Sequence, residues 1–186
     1  MAYDPNRHHR RTIRLKEYDY SLAGYYFVTV CASGRKCLFG DVAGEEMRAN
    51  HPGEIVIDTL YGMPKHYPHI VLDESIVMPN HVHFIIGISV GAGLKPALPR
   101  TAGLPEVVRA FKTFSARRIN ELRKSSGVPV WQRNYYEHII RNGKSLNLTR
   151  EYIIDNPARW EVDRENPAIE RAGLKPAPTE EEPWRI

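Results

Sequence analysis

The sequence is poor in cysteine. Its 2 cysteines in 186 residues exclude a disulfide-stapled scaffold. Cys31 and Cys37 lack the CxxC spacing of redox and zinc motifs, so two buried thiols without chemistry are expected. Long apolar runs are also missing, since nothing approaches the roughly 20 residues that span a bilayer. Met1 to Arg14 is polar and rich in Arg and His, without the apolar stretch of a signal peptide. The expectation is a cytoplasmic protein with no membrane partner. Charge of one sign is in small excess, with 26 Lys and Arg against 22 Asp and Glu and a net charge of +4. What remains is 42% hydrophobic and 10% aromatic residues, which excludes a collagen-like or wholly disordered chain and is enough for one ordinary core.

The small charge is unevenly spread. Residues 161–186 hold 4 basic and 7 acidic residues, leaving 22 basic against 15 acidic in residues 1–160. A basic body suits a polyanionic partner. Arg7, Arg10, Arg11, Arg14 and Lys16 cluster near the start, and Arg109, Lys112, Arg117, Arg118, Arg123 and Lys124 lie in a stretch of helical period. At about 100° per residue, Val107, Val108, Phe111, Phe114, Ile119 and Leu122 share one side of that helix, and the basic residues except Arg118 share the other. The basic side is either a solvated face or a row of phosphate contacts.

Tyr25 to Cys31 reads as a β-branched and aromatic strand, and Glu54 to His66 as a helix shortened by Pro64. Ile70 to Met78 and His81 to Ile88 are apolar runs of strand length on either side of Pro79-Asn80, which predicts an antiparallel pair. Val128 to Asn134 is a strand or loop, and a last helix is expected from about Ser145 to Asn156, where Pro157 discourages continuation. This order suits an α+β fold of ferredoxin-like type, an antiparallel sheet with helices packed on one face. One working domain is expected over residues 1–160, followed by an irregular Pro- and Glu-containing tail over 161–186.

Gly91 to Pro105 interrupts the pattern with Pro96, Pro99, Pro105 and three glycines. The string Ala-Gly-Leu-Lys-Pro-Ala occurs at Ala92 to Ala97 and again at Ala172 to Ala177. One reading is a duplicated flexible linker. The other starts from the genetic code. Gly91 to Ala97 can be encoded as GGG GCG GGT TTG AAA CCC GCC, which, followed by CC, is self-complementary about its central base. On that reading, Gly91 to Pro99 and Ala172 to Thr179 are translated remnants of a DNA hairpin.

Three groups of residues suggest chemistry. His81-Val82-His83 opens a predicted strand, where alternation sends both imidazoles to one face, placed either to share a metal ion or simply half-exposed. Tyr152 and Asn156 are four apart and so adjacent on one helical face, offering a hydroxyl nucleophile and a neutral oxygen ligand for a hard cation, or else a core tyrosine and a capping amide. Trp131, Gln132, Arg133, His138 and Arg141 mix aromatic, basic and hydrogen-bonding groups as base-stacking surfaces do, and as core packing also can.

In this order, Met78-Pro79-Asn80-His81-Val82-His83, Trp131-Gln132 with His138 and Arg141, and Tyr152 with Asn156-Pro157 resemble the REP-associated branch of the single-tyrosine HUH transposases over roughly residues 11–160. The resemblance implies a ferredoxin-like nuclease that cuts single-stranded DNA beside a hairpin and links the 5′ end to a tyrosine. It implies Tyr152 as nucleophile, and His81, His83 and Asn156 as ligands of a divalent metal, Mg2+ or Mn2+. With the basic clusters, the expected DNA contacts are Arg10, Arg11, Arg14, Arg109, Lys112, Arg117, Arg123, Lys124, Trp131, Gln132, Arg133, His138 and Arg141. The partner is single-stranded and hairpin DNA, and the chain acts as monomer or homodimer. The competing expectation is a DNA- or RNA-hairpin-binding protein on the same scaffold without catalysis. A closed structural zinc site is disfavoured because no Cys pair accompanies the histidines.

Overall fold

Gly24–Cys31 forms strand β1 because its aromatic and β-branched side chains alternate between two faces that are both covered. Tyr26, Val28 and Val30 point one way and Phe27 and Thr29 the other, all of them buried. The structure, a computed structural model, describes residues 18–89, 102–163 and 165–171. The N-terminal cluster with Arg10, Arg11 and Arg14, most of the Pro/Gly insertion, and both copies of the repeated peptide lie outside the described residues.

After β1 come the strands β2, Gly40–Ala43, and β3, Glu46–Ala49, then helix α1, His51–His66. Strands β4, Ile70–Val77, and β5, His81–Ile88, precede helix α2, Leu104–Leu122. Strand β6, Tyr136–Ile140, and helix α3, Gly143–Ile154, lead to a 3-10 segment, Pro157–Val162, and a short helix α4, Pro167–Arg171. Among the described residues, the main sheet has the order β4-β5-β1-β6, with every neighbouring pair antiparallel. With α1 joining β1 to β4 and α2 joining β5 to β6, this is the ferredoxin-like order expected from the sequence.

Helices α1 and α2 cover one face, where Val56, Leu60, Met63, Val107, Val108, Phe111 and Ile119 meet Tyr26, Val28, Val30, Val82, Phe84 and Ile86. Helix α3 lies against the opposite face, with Ile153 packed on Phe27, Ile85 and Ile140. Coverage on both sides explains why all eight residues of β5 are buried.

Local chemistry sets the ends of these elements. The Asn50 side chain caps α1 by accepting from the Gly53 N–H at 3.0 Å, and Pro52 sits in the first turn. The helix continues through Pro64 to His66, because a proline in the last turn forfeits a single backbone donor. A Cβ on Gly53 would lie 2.1 Å from the Phe39 carbonyl oxygen, so only glycine permits that approach. On α2, Phe114 and Leu122 are exposed instead of sharing the apolar stripe; Ser115 takes the buried position.

Three features differ from the sequence reading. The pair β2–β3, with a two-residue turn at Gly44-Glu45 of positive φ at both positions, was not expected, nor was strand β6. The domain does not stop at Trp160: Glu165, Asn166 and Ile169 are buried, and Asn166 bonds both the Trp160 carbonyl and the Ala168 N–H, so Pro167 starts a helix rather than a tail. Cys37 is exposed and Cys31 half-buried, not buried as expected, since both lie at and beyond the open end of β1. Among the described residues, no helix is long and apolar enough to cross a membrane.

The segment between β5 and α2 is gathered at its base by one residue. The His69 carbonyl accepts from both the N–H and the hydroxyl of Ser89, at 2.8 and 3.0 Å. The His69 ring Nε2 donates to the Ala102 carbonyl at 2.8 Å.

Candidate active site

The alternation that buries Val82 and Phe84 under α1 and α2 turns His81, His83 and Ile85 toward α3. His81 is 0% and His83 3% exposed, with ring centroids 4.5 Å apart. Each imidazole is oriented through Nδ1. The Asn80 amide nitrogen donates to the carbonyls of Arg35 at 3.1 Å and Glu165 at 2.6 Å, so its Oδ1 is left as the acceptor for His81 Nδ1–H at 2.9 Å. His83 Nδ1 shares a 2.8 Å hydrogen bond with Thr29 Oγ1, its partner across the β1–β5 register. Both histidines therefore present Nε2 to the site, as ligating imidazoles do.

The Tyr152 ring lies 5.4 Å from that of His83 and edge-on to Phe27 at 6.0 Å. Asn156 follows one helical turn later and is 1% exposed, its Oδ1 buried without a hydrogen-bond partner. The 3-10 segment then brings the Trp160 ring to 6.1 Å from His81, and Asp163 Oδ2 to 4.0 Å from His81 Nε2. Residues 152–163 thus run from His83 to His81. An amide oxygen buried without a partner costs desolvation energy unless something binds it, and two imidazoles plus a neutral oxygen suit a divalent ion. Among the described residues, no three His, Cys, Asp or Glu side chains gather to hold a metal.

Helix α3 is clamped to the sheet two residues before the tyrosine. Arg150 Nε and Nη2 each donate to Asp73 at 2.7 Å, a bidentate pair. Asp73 is aimed at α3 by a bulge in β4, where the pairing with β5 slips between Leu72 and Ser75. The Arg150 hydrogen bond holds the Asp73 carboxyl below its ordinary pKa, and the same contact raises that of Arg150.

The expected DNA contacts separate into three groups. Trp131 is corrected to a core residue: it is 7% exposed, its ring is 4.8 Å from Phe39 and 5.5 Å from Phe111, and its Nε1 donates to Ser115 Oγ at 2.9 Å. Lys112 is committed elsewhere, donating to the carbonyls of Gln132, Arg133 and Asn134, and burial lowers its pKa. The Gln132 N–H donates to the Cys31 carbonyl. Arg109 and Arg117 are exposed but paired with Glu106 and Glu121 on their own helix, while Arg123 caps its end and Lys124 follows. They ride on α2, which packs on the face away from the histidines. Arg109 and Arg133 border a groove of about 790 Å³ on that side. On the site's own face, His138 pairs with Phe27 in β6, and the exposed Arg141 follows that strand. Thr29 and Asp163 were not singled out from the sequence; Asn80 entered as a turn residue and as part of the motif that carries the resemblance, without a role in the site.

The antiparallel ferredoxin-like sheet thus carries the inner-strand histidine pair beneath the helix that holds Tyr152. The family model described as "Transposase IS200 like" matches residues 20–156, and the chain belongs to that family. It is 41% identical over 177 residues to a Haemophilus influenzae protein described as uncharacterized, covering 87% of this chain and 96% of the relative. A putative REP-associated tyrosine transposase of the same organism is 23% identical over 144 residues, covering 76% and 74%. In fold, the chain is similar to a REP-associated tyrosine transposase solved bound to a REP hairpin, with a TM-score of 0.54, 18% identity, and coverage of 78% of this chain and 74% of that one.

Proposed function

We propose that this transposase cuts and rejoins single-stranded DNA beside a hairpin through Tyr152. The observation that carries this reading is the Tyr152 ring against His83, with the unpartnered Asn156 Oδ1 one turn further on. His81 and His83 through Nε2, and Asn156 through Oδ1, would hold a divalent ion, Mg2+ or Mn2+. Such an ion offsets the charge that builds on the non-bridging oxygens of a phosphodiester under attack. Tyr152 Oη attacks the phosphorus and gives its proton to solvent. The bond to the 3′ oxygen breaks, that oxygen takes up a proton, and the 5′ phosphate stays on the tyrosine. Because a phosphodiester replaces a phosphodiester, attack by a 3′ hydroxyl on the linkage rejoins strands without an external energy source. Asn80 and Thr29 hold the imidazoles in the required orientation, and the Asp73–Arg150 pair fixes the helix that presents the hydroxyl. His138, on the site's face of the sheet, and the exposed Arg141 that follows β6 are the candidate strand contacts. The α2 cations are suited to a duplex portion on the other side.

The test is covalent trapping on labelled single-stranded hairpin DNA with Mn2+ or Mg2+. Tyr152→Phe is expected to abolish the adduct and leave hairpin affinity within about twofold, since the basic surface supplies binding. Tyr136, also on the site's face and 6.4 Å from Phe27, is the rival. An adduct that survives in Tyr152→Phe and vanishes in Tyr136→Phe would move the nucleophile. Tight hairpin binding with no adduct in either metal would leave a binding protein on this scaffold.

A further inference from the structure

Alternation along β1 puts Tyr25 on the face of Phe27 and Thr29, which is the face of the histidine pair. In the sheet register, Thr29 and Tyr136 stand in one row with His83, and Phe27 and His138 in the next with Ile85. Tyr25 stands in a third row, with Gly87, Val71 and Ile140. Four residues of strand separate it from Thr29, about 13 Å along β1. The third row has little cover: Tyr25 is 38% and Val71 57% exposed, whereas Phe27 is 1% exposed. Of the exposed aromatic rings among the described residues, Tyr61 and Phe114 ride on α1 and α2, over the other face of the sheet.

Gly87 determines how the Tyr25 ring lies. A Cβ there would come within 3.0 Å of Tyr25 Cε1 and 3.3 Å of Cδ1, so the missing side chain lets the ring lean across β5 and rest against backbone. Cations stand nearby. The Arg150 pKa is raised chiefly by its hydrogen bond to Asp73, and the Tyr25 phenol adds to the shift, which places the phenol near that guanidinium. The exposed Arg141 follows Ile140, the β6 neighbour of Tyr25. An exposed aromatic ring with a fixed seat and basic side chains beside it suits a nucleobase and its phosphate, because every base has a π-face to stack. We propose that Tyr25 is a stacking platform for a base of the single-stranded DNA that flanks the hairpin. The strand runs from the histidine row past His138 to Tyr25, and the base that rests on this ring helps to set which phosphodiester reaches Tyr152. This rests on the reading of the histidine face as the place where a single strand is cut.

The test titrates the full chain, without divalent metal, onto two labelled DNAs: a bare hairpin and the same hairpin with single-stranded extensions at both ends. Tyr25→Leu and Tyr25→Ile remove the ring and still cover Gly87, and Tyr25→Phe keeps the ring. Thermal melting checks folding, and either aliphatic variant that folds decides the result. The aliphatic variants are expected to bind the extended hairpin about tenfold more weakly, the usual effect of losing one stacked base, and the bare hairpin within twofold of wild type. Tyr25→Phe should match the wild type on both. Unchanged affinity of the aliphatic variants for the extended DNA, or an equal loss on both DNAs, overturns the platform, the latter by showing that the ring serves only to cover Gly87. A loss in Tyr25→Phe as large as in Tyr25→Leu overturns stacking in favour of the hydroxyl, and a wild type that gains nothing from the extensions overturns the platform outright. Adduct formation with Mn2+ is scored separately. A wild type that gains affinity from the extensions but forms no adduct overturns the cutting reaction and leaves Tyr25 as a strand contact.

Discussion

Removing the Asp73 carboxylate tests whether the tyrosine helix is held by charge or only by its apolar side. The pair is bidentate with both bonds at 2.7 Å, and the side chains are 15% exposed for Asp73 and 38% for Arg150. A fully exposed pair contributes about 0–1 kcal/mol, and a charge-assisted bidentate contact is roughly twice as strong as a neutral one. With the arginine more than a third exposed, solvent screening discounts the larger figure, and a coupling of about 1–2 kcal/mol is expected. The assay is a double-mutant cycle of Asp73→Asn and Arg150→Met by urea unfolding. Asp73 is held below its unfolded value of about 3.9, so its stabilisation is complete above that value and is lost as the pH falls through the lower folded value. Arg150 stays charged throughout and adds no pH dependence below pH 12. The coupling should be constant from pH 8 to pH 5 and vanish in strong acid. A coupling under about 0.3 kcal/mol at pH 7, or one unchanged at pH 2, would refute the clamp. Since Arg150 precedes Tyr152 by two residues, adduct formation by Asp73→Asn should slow severalfold without being abolished.

Trp131→Ala should destabilise the chain by about 3–5 kcal/mol in urea unfolding, as expected for a core aromatic; a change under about 0.5 kcal/mol with loss of DNA affinity would restore Trp131 to the binding surface. Lys112→Met should leave the salt dependence of DNA binding unchanged, because its ammonium is spent on three carbonyls, whereas Arg141→Gln should lower the slope by about one phosphate contact. Gly53→Ala should lower the melting temperature by forcing α1 off the Phe39 carbonyl, at about 1–3 kcal/mol; an unchanged melt would show that the chain yields there. The gene's codons for Gly91 to Ala97 should pair across Leu94 and Lys95 if the repeat is a translated hairpin, and codons that cannot pair would leave a duplicated linker.

The strands β1, β4 and β5 and the helices α2 and α3 were legible because each is long enough for its period to show, and because Pro79-Asn80 marks the turn between two apolar runs. Strand β6 was not, since Tyr136–Ile140 is a half-buried edge strand of five residues inside a cluster that mimics a binding surface. The hairpin β2–β3 has four-residue strands and turns on Gly44-Glu45, without the usual Asn-Gly signal. In the site, His81 with His83 and Tyr152 with Asn156 are local spacings that a strand and a helix turn into shared faces. Thr29 joins His83 only through sheet register, and Asp163 reaches His81 only because the chain folds back after Trp160. Such non-local relations leave no periodic trace. Trp131 was misassigned for a related reason: a tryptophan among polar residues reads the same whether its ring faces DNA or Phe111.

His69 makes the chain a tolerant host for foreign sequence. Ser89 and Ala102, on either side of the 90–101 segment, are both fastened to it, which holds the two ends of that segment together. Doubling the length of such a closed loop costs only about 0.6 kcal/mol, a small fraction of a typical stability of about 5–15 kcal/mol. By that estimate, codons gained there would add little to the cost of folding. A genome in which short palindromes move would therefore find in this gene a landing place where an in-frame arrival is silent, and the protein's own architecture would preserve the record of it.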